Sequence, residues 1–452
     1  MPFWLDSPDA PPPSPGLDGH EGCELAVVGG GLSGLWAALQ AKEDDPSRDV
    51  VLIEGERIAH AASGRNGGFF SSSLTHGLSN GLSRFAGEMP ALERLGLANF
   101  DGAVETIRRL GIDCDLELEG DIAVALAAHE SDWLAEEASK LEHLGHDVEL
   151  FDGERMRDEV RSPTYCSGMW QRSGSGTLDP AKLCWGLRRA ALEAGVRIYE
   201  RSPVDRLQGT ASAVRLVGPS ATLDADAVVL ATSAFRGLLP EIRRRVVPVY
   251  DYVLVTEPLS EAQRSSLGWH RRQGVSDSAN QFHYYRLTPD NRILWGGYDA
   301  IYHFGNGLRP ELEQRDRSFA RLSRHFFITF PQLEGVRFSH RWGGAVDTCT
   351  RFFAFSGLAH SGRVAYTVGH TGLGVGASRF GARVALDLLD GRRTEPTRLK
   401  AIRSRPFPFL PEPLRWVTIE LTRSRLAAAD RRQGRRGLWL RMLDRLGLGY
   451  DS

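Results

Sequence analysis

The stretch Leu25-Ala26-Val27-Val28-Gly29-Gly30-Gly31-Leu32-Ser33-Gly34 decides the fold of the N-terminal region. A short apolar run ends at a glycine turn, and an Ala/Leu-rich helical pattern then extends from Leu32 to Lys42. A second apolar run follows at residues 50–53. Although a short apolar run can also belong to a buried helix, the glycines that come next favour a strand. The pattern therefore predicts a β-α-β unit of a Rossmann-like parallel sheet.

The spacing of Gly29, Gly31 and Gly34 is G-x-G-x-x-G, placed between a predicted strand and a predicted helix. The bare backbone N–H groups and the positive end of the helix can bind a pyrophosphate at such a turn. Glu54 follows at the end of the second predicted strand, where an acid can accept hydrogen bonds from the ribose hydroxyls of an adenosine. Its negative charge would repel a 2′-phosphate, so the motif predicts FAD or NAD and disfavours NADP.

A polar, glycine-rich loop comes next, Ala62-Ser63-Gly64-Arg65-Asn66-Gly67-Gly68. Small residues let backbone amides approach a large flat ring, a feature for which a fold that binds only nicotinamide has less need. The loop therefore favours FAD. An NAD-linked dehydrogenase is the alternative at this point.

Length and composition indicate a globular protein of two domains. The chain has 452 residues, of which 42% are hydrophobic and 25% charged, too many residues for one ordinary core. The net charge of −2 argues against nucleic-acid binding. The 5 cysteines form no CxxC pair, so the sequence predicts neither a disulfide framework nor a metal site, and a reducing, cytoplasmic setting is expected. We see no secretory signal and no apolar run of the roughly 20 residues that a membrane span needs.

The pattern of the remaining residues predicts that the chain departs from the Rossmann-like sheet twice and returns to it each time. Residues 179–194 form a helical pattern, and residues 195–199 and 227–231 read as further strands of the first sheet. Residues 246–300 alternate aromatic, β-branched and polar side chains, as antiparallel strands do. We predict an α/β fold, α+β as a whole, made of a Rossmann-like FAD-binding domain, a discontinuous antiparallel-sheet substrate domain and a C-terminal helical tail. The predicted segments are 1–22 (Pro-rich extension on the surface), 23–80, 151–245 and 336–393 (FAD-binding domain), 81–150 and 246–335 (substrate domain), and 394–452 (Pro-rich and helical tail).

The tail carries an amphipathic pattern formed by Leu438, Leu440, Met442, Leu443 and Leu446. Such a face can pack on the body of the same protein, on a second subunit as a homo-oligomer, or on a membrane surface as a peripheral contact. We expect the first of these.

Separated segments of the chain resemble the D-amino-acid oxidase/glycine oxidase (DAO) superfamily of FAD-dependent oxidoreductases, and within it most of all the γ-glutamylputrescine oxidoreductase type. The resemblance extends from about residue 24 to residue 391. Besides the fingerprint and the Arg-Asn-Gly-Gly loop, it includes residues 176–180, residues 225–232, Arg341-Trp342-Gly343-Gly344 and residues 369–376. Glycines before the predicted helix that follows Gly376 would bring a second positive helix end to the ligand.

The resemblance implies non-covalent FAD and amine oxidation by hydride transfer to the flavin, giving an imine that hydrolyses, with a small-molecule amine as substrate and O2 or another electron acceptor as oxidant. The alternative is a flavoprotein dehydrogenase or electron-transfer component. Expected FAD contacts are Gly29, Gly31, Ser33, Gly34, Glu54, Gly55, Ser63, Arg65, Asn66, Gly67, Gly68, Val204, Ala231, Thr232, Gly343, Thr371, Gly372, Leu373 and Gly374.

His370, Tyr252, Tyr285 and Trp342 are the predicted catalytic residues, with Tyr250, Phe282, His283 and Tyr284 as further aromatic candidates. Successive side chains of a strand point to opposite faces, so only about half of the strand residues can face the flavin. An apolar aromatic wall would favour the neutral amine over its ammonium form.

The sequence departs from its relatives at several positions. Glycine oxidase-like relatives carry an arginine after the tryptophan to hold an α-carboxylate, a bidentate task suited to guanidinium, whereas Gly343 follows Trp342 here. An amine whose carboxylate, if it has one, is remote is therefore expected, with Arg286 as a possible substitute. No lysine lies in the predicted sheet of the substrate domain to assist oxygen reduction, and Cys349 does not match the spacing of relatives that attach flavin covalently.

Overall fold

The computed structural model describes residues 1–209, 212–235 and 237–448. The last four residues of the predicted tail lie outside this part of the chain. The strands are β1 (Gly19–Val28), β2 (Val50–Ile53), β3 (Phe69–Ser71), β4 (Asp121–Ala125), β5 (Val148–Phe151), β6 (Ser167–Gln171), β7 (Ser175–Thr177), β8 (Arg197–Tyr199), β9 (Arg206–Gly209), β10 (Val214–Val217), β11 (Ala221–Leu230), β12 (Val247–Thr256), β13 (Gly274–Asp277), β14 (His283–Leu287), β15 (Ile293–Gly297), β16 (Ile301–Tyr302), β17 (Phe338–Thr348), β18 (Phe355–Ala359) and β19 (Val364–Val368).

The α-helices are α1 (Leu32–Asp44), α2 (Leu78–Phe85), α3 (Met89–Arg109), α4 (Ala128–His143), α5 (Gly153–Glu159), α6 (Pro180–Glu193), α7 (Pro240–Arg245), α8 (Glu261–Leu267), α9 (Asp316–Thr329), α10 (Gly374–Leu389), α11 (Glu395–Arg398), α12 (Lys400–Arg403), α13 (Leu414–Asp430) and α14 (Leu438–Arg445). Short 3-10 helices connect several of them.

The first sheet is the Rossmann-like one, with the strand order β18-β19-β11-β1-β2-β8. Strands β19, β11, β1, β2 and β8 are parallel, while β18 pairs antiparallel with β19. The apolar residues of β1 and β2 are buried on both faces. Helices α1, α6 and α10 cover one face of this sheet, and a second apolar core that includes Leu216 and Phe355 covers the other. The β-α-β unit predicted at residues 25–53 is confirmed.

The second sheet has the order β16-β12-β15-β14-β13-β4-β6-β5, and β17 pairs with β12. It is antiparallel except for the parallel pair β4–β13. Strand β6 and strand β17 belong to this sheet, although the predicted boundaries put residues 151–245 and 336–393 with the first sheet. The chain therefore returns to the first sheet later, at β8 and at β18, and β7 pairs with β3 in a separate two-stranded sheet.

The N-terminal segment lies on the surface only in part, because none of residues 6–16 is buried whereas Trp4 is. Trp4 is 2% exposed and packs among Ala181 of α6, Val253 of β12 and Trp342 of β17. Strand β1 also begins at Gly19, inside the predicted extension. The segment is thus part of the core between the two sheets, because it supplies a large apolar side chain where they meet.

The C-terminal tail packs on the second sheet and its neighbouring loops. Asp430, at the end of α13, accepts hydrogen bonds from the backbone N–H groups of Asn280 (3.0 Å) and Gln281 (3.1 Å). Leu440 of α14 is 1% exposed. This confirms the expected docking of the tail on its own chain. No helix among residues 1–209, 212–235 and 237–448 is long and apolar enough to cross a membrane.

Candidate functional site

A large cavity of about 1100 Å³ lies between the two sheets. The N-terminal glycine turn (residues 29–34) and a late glycine turn (residues 369–374) both contribute to its wall. The opposite wall consists of residues from β12, β14 and the loop after β15. Ligand pockets usually measure about 300–1,000 Å³, so this cavity has room for a cofactor together with a substrate.

At each glycine of the N-terminal turn, a side chain would clash with a neighbouring protein atom. Gly29 has φ +116°, and a Cβ there would lie 2.5 Å from the carbonyl oxygen of Ala231. A Cβ at Gly34 would overlap the carbonyl oxygen of Gly29, so this glycine serves the close packing of α1 on β1. Gly31 caps α1 and lines the cavity, and a Cβ there would lie 2.6 Å from Ser63 Oγ. The turn therefore fits a pyrophosphate at the N-terminus of α1.

Glu54 lies at the carboxyl end of β2 and lines the cavity. Its carboxylate accepts hydrogen bonds from the N–H of Gly30 (2.6 Å) and of Glu56 (2.8 Å). Burial raises the pKa of this carboxyl above its ordinary value. The remaining lone pairs are in place to accept hydrogen bonds from the ribose hydroxyls of a bound adenosine.

Hydrogen bonds within the loop at residues 62–68 fix its conformation. Asn66 donates from Nδ2 to the carbonyls of Ala62 and Ser63 (both 3.0 Å) and accepts from the N–H of Gly68. Arg65 forms an ion pair with Glu313 at 2.5 Å. The side chain of Asn66 thus holds the shape of the loop, while Gly67 presents backbone to the cavity.

The late glycine turn is held by a buried acid. Asp347, at the end of β17, accepts a hydrogen bond from the N–H of Gly369 at 2.6 Å and lies 3.4 Å from Nδ1 of His370. Nε2 of His370 has no hydrogen-bond partner within the described residues and its ring lines the cavity. Gly374 begins α10 and also lines the cavity, which brings the N-terminus of a second helix to the ligand.

The structure brings most of the predicted cofactor contacts to this cavity. Those that line it are Gly29, Gly31, Ser33, Glu54, Gly55, Ser63, Arg65, Asn66, Gly67, Val204, Ala231, Thr232, Thr371, Gly372, Leu373 and Gly374. Three of the predicted contacts do not line the cavity and are close-packed against protein atoms instead. A side chain would clash with Gly29 at Gly34, with Leu178 and Arg286 at Gly68, and with Tyr252 at Gly343.

Of the predicted catalytic residues, only His370 reaches the cavity. Tyr252 is buried and donates its hydroxyl to the carbonyl of Leu312 (2.9 Å). The hydroxyls of Tyr285 and Tyr165 lie 2.6 Å apart in the core on the far side of the sheet. Trp342 is 1% exposed and donates to the carbonyl of Arg65 (2.9 Å). These three residues support the cavity wall from behind and do not contact what it holds.

Strand alternation explains which aromatic residues face the cavity. In β14, Tyr284 lines the cavity while its neighbours His283 and Tyr285 point into the opposite core. Phe282, two residues from Tyr284, also lines the cavity. The alternation was visible in the sequence, but which set faces the ligand depends on the whole sheet.

Sequence reasoning missed an acidic residue in the cavity wall, Asp251 of β12. Its Oδ2 accepts a hydrogen bond from the hydroxyl of Tyr284, and its Oδ1 accepts one from the N–H of Tyr252 at 2.8 Å. The signal was a single carboxylate between two tyrosines in an otherwise apolar strand. The expected aromatic wall is present, but the expectation that it is purely apolar was wrong.

The structure rejects the function suggested for Arg286 and agrees with the expectation that Cys349 is a free buried cysteine. Arg286 is fully buried and donates to the carbonyl of Leu178 at 2.7 Å, so it is a structural residue and not a clamp for a substrate carboxylate. Cys349 is also fully buried, and its Sγ lies 3.2 Å from the carbonyl oxygen of Phe353. Burial raises the pKa of this thiol.

The C-terminal tail completes the cavity. Residues of α13, of α14 and of the segment before them line its outer part, and they include Phe409, Ile419, Arg423, Leu426 and Trp439. Trp439 donates from Nε1 to Thr422 Oγ1 at 3.0 Å, which joins the two helices. The tail thus forms part of the wall around any ligand that lies against the second sheet.

The sequence matches the family described as FAD dependent oxidoreductase (DAO) over residues 24–388. The chain belongs to this family. It is therefore an oxidoreductase, with FAD as its cofactor, and both the predicted resemblance and the predicted fold class are confirmed.

Individual members of the family resemble the chain over most of its length. It is 33% identical over 395 residues to the gamma-glutamylputrescine oxidoreductase of Escherichia coli (strain K12), covering 86% of this chain and 88% of the relative. In structure it is similar to glycine oxidase from Geobacillus kaustophilus (TM-score 0.68, 20% identity, 83% of this chain and 96% of the other). It is also similar to L-proline dehydrogenase from P. horikoshii (TM-score 0.69, 17% identity, 83% and 96%). The family match ends at residue 388, before the tail begins.

Proposed function

We propose that the protein is an amine oxidoreductase that oxidises the C–N bond of its substrate and yields an imine, which water hydrolyses. The observation that carries this proposal is the composition of one cavity. Both glycine turns and the loop at residues 62–68 lie on one side of it, and the second sheet lies on the other. A substrate bound against the second sheet would therefore contact a flavin held by the turns. The similarity to gamma-glutamylputrescine oxidoreductase supports an amine as substrate.

The residues present fit FAD. Gly31 and Ser33 at the start of α1 would hold the pyrophosphate, and Glu54 the ribose. Loop residues 62–68 and turn residues 371–374 would hold the flavin ring. Bound FAD supplies the acceptor for the hydride that leaves the carbon next to nitrogen. Because the thiol of Cys349 is buried and partnered, we propose that FAD is bound non-covalently.

We propose His370 as the catalytic residue on the wall of the cavity that the two glycine turns form. Asp347 fixes its ring through Nδ1, and Nε2 is left unpaired within the described part of the chain. An unpaired buried nitrogen costs free energy unless a ligand satisfies it. We propose that Nε2 of His370 contacts the bound flavin or the substrate.

The substrate we propose is an amine whose anionic group, if it has one, is remote from the reacting nitrogen. Gly343 and Gly344 leave no side chain to clamp an α-carboxylate, and Arg286 lies outside the cavity. Arginines line the cavity instead at Arg309 and at Arg423 of the tail. Arg423 already pairs with Glu420 at 2.7 Å, so we propose Arg309 as the cation for a carboxylate at the far end of a longer molecule.

The electron acceptor defines an alternative, a flavin dehydrogenase that passes electrons to a partner other than O2. The lysines give no support to an oxidase. Lys42 donates to the carbonyls of Pro46 and Arg48, Lys140 pairs with Glu137, and Lys182 pairs with Asp115. None of these side chains contributes to the cavity wall.

The test is anaerobic mixing of the flavin-loaded protein with γ-glutamylputrescine, putrescine, glycine and L-proline, followed by admission of air. We expect γ-glutamylputrescine or putrescine to bleach the flavin absorbance, and glycine and L-proline to bleach it more slowly. Rapid recovery in air would identify an oxidase, and slow recovery a dehydrogenase. A flavin that stays oxidised with every amine would contradict the proposed function.

A further inference from the structure

On the wall formed by the second sheet and its neighbouring loops, most acidic side chains have a charged or ionisable protein partner. Asp299 pairs with Arg321 at 2.5 Å, and Glu313 pairs with Arg65 at 2.5 Å. Asp347 accepts a hydrogen bond from the backbone and lies beside His370. Asp251 differs, because no ion pair involves it within residues 1–209, 212–235 and 237–448 and its side-chain partner is the neutral hydroxyl of Tyr284. The charge of this carboxylate is thus left for a ligand to balance.

Two glycines allow Tyr284 to reach Asp251. Strand β15 lies between β12 and β14, so the ring of Tyr284 must cross it. It does so at Gly296, where a Cβ would lie 2.6 Å from the hydroxyl oxygen. The ring also packs on Gly67, where a Cβ would lie 2.5 Å from Cε2. Gly67 belongs to the loop at residues 62–68, hereafter the flavin loop. The Asp251–Tyr284 pair is therefore placed directly beside the loop that the flavin contacts.

The surroundings raise the pKa of the Asp251 carboxyl into the range where it can gain or lose a proton near neutral pH. Burial raises the pKa of its carboxyl to about 6, and the nearby charge of Asp299 acts in the same direction. Arg315 and Arg321 pair with Asp299, and on the side of β17 Arg65 pairs with Glu313. Burial also raises the pKa of Tyr284 well above its ordinary value. Tyr284 therefore stays a hydrogen-bond donor at neutral pH, while Asp251 can gain or lose a proton.

We propose that Asp251, held in place by Tyr284, binds the ammonium nitrogen of the substrate and accepts its proton. This inference rests on the proposed function, because it needs an amine in the cavity. In the step, one N–H bond of the ammonium breaks and an O–H bond forms on the carboxylate. The products are a neutral amine and a neutral carboxylic acid, and no electrons are transferred. Transfer removes two charges from a buried site, where each is penalised, and leaves the amine with the lone pair that its oxidation requires.

The first test is the pH dependence of flavin reduction by γ-glutamylputrescine in the wild type and in Asp251→Asn. We expect the wild-type rate to fall as the pH drops through about 6, where Asp251 becomes protonated. In Asp251→Asn this fall should disappear, and the rate at pH 8 should be lower by about 100-fold, a usual contribution of a proton acceptor. The matched control is Glu257→Gln, an exposed acid just beyond β12, which should behave as wild type.

Tyr284→Phe separates proton transfer from a merely structural contribution. Loss of a hydrogen bond to the carboxylate raises its pKa, so the fall at low pH should move upward, by about one pH unit. Gly296→Ala should displace the ring and give the same upward movement. If Asp251→Asn keeps the wild-type rate and the wild-type pH profile, the proposal is wrong even though the proposed function stands.

The second test counts protons without any turnover. Calorimetric titration of the photoreduced holoenzyme with γ-glutamylputrescine, in two buffers of different ionisation enthalpy at pH 8, measures protons released on binding. The wild type should release none, because the ammonium proton stays in the complex. Asp251→Asn should bind about tenfold or more weakly and release about one proton, because it must take the neutral amine. Equal affinity and equal proton counts would overturn the proposal.

The two proposals fail in different ways. If no amine bleaches the wild-type flavin, the proposed function is wrong and the assignment of Asp251 falls with it. If amines bleach wild type and Asp251→Asn alike, only the assignment of Asp251 is wrong.

Discussion

Gly31 is the residue of the N-terminal turn at which we propose that the pyrophosphate of FAD binds. Replacement by valine would place a branched side chain where Ser63 Oγ now accepts a hydrogen bond from the N–H of Leu32 (2.9 Å). We predict that Gly31→Val binds less than about a tenth of the stoichiometric FAD, since even a methyl-sized overlap in a packed site is costly. The measurement is the ratio of flavin absorbance to protein absorbance after purification. Gly87→Val, at a position where a Cβ would meet no other atom within 4 Å, should retain FAD, and stoichiometric FAD in Gly31→Val would contradict the placement of the pyrophosphate.

Residues of the cofactor site were more predictable from sequence than residues of the substrate site. Gly29, Gly31 and Glu54 act through backbone and spacing, and spacing is visible in a sequence. Tyr252 and Tyr285 were assigned to the wrong face because the direction of a strand side chain depends on neighbouring strands. Asp251 was missed for the same reason, since its partner Tyr284 reaches it only across a glycine of a third strand.

At the scale of elements, several polar contacts hold the tail to the second sheet and its loops, among them those of Glu412 with Tyr302 and Gly305 and those of Asp430. Asp430 at the end of α13 accepts three hydrogen bonds, from the N–H of Asn280, from its Nδ2 (2.5 Å) and from the N–H of Gln281. We predict that Asp430→Ala loosens the tail, so that trypsin cleaves after Arg431 and Arg432 about tenfold faster, because local opening governs proteolysis. The KM for the amine should rise as well, because α13 lines the cavity. Asp444→Ala, on an exposed turn of α14, is the control for helix stability, and unchanged cleavage of Asp430→Ala would show that other contacts hold the tail.

The positions of the tail helices could not be predicted, although their existence could. The amphipathic pattern around Leu440 predicts an apolar contact and does not name its partner. The contacts that decide the position join residues about 150 apart in the chain, and no local pattern records them. Leu438 of α14 is 80% accessible. That this exposed side of the helix contacts a membrane or a second copy of the chain stays a prediction.

At the scale of the whole molecule, Trp4 joins parts that are distant in sequence. Its ring packs between α6 and the second sheet, and its Nε1 donates to the carbonyl of Asn66 in the flavin loop at 2.8 Å. We predict that Trp4→Ala lowers the free energy of unfolding by about 3–5 kcal/mol, the usual cost of removing a buried tryptophan. FAD should also dissociate more readily from this variant. Urea unfolding and flavin fluorescence would measure the two effects. Phe3→Ala, at a half-buried neighbour, should have a smaller effect on both, and normal stability of Trp4→Ala would contradict this view of the segment.

The two-sheet architecture was predicted from sequence, while the borders between its parts were not. Strands β6 and β17 pair with the second sheet because their partners, β4 and β12, lie there. Pairing partners of this kind come from distant parts of the chain. The burial of Trp4 escaped prediction for a related reason, because a Pro-rich segment without periodicity gives no sign of one anchoring side chain.

The ring of Tyr284 makes the identities of Gly67 and Gly296 depend on one another. Each glycine gives up its side chain to the same aromatic ring from opposite sides, so neither can gain a methyl group while that ring remains. Shortening Tyr284 to leucine should let alanine enter at either glycine with little loss of stability, at the expense of the hydrogen bond to Asp251. Sequence changes at these three positions are therefore expected to be concerted, and loss of the tyrosine would remove the packing constraint at Gly296, while Gly67 would still present its backbone to the cavity.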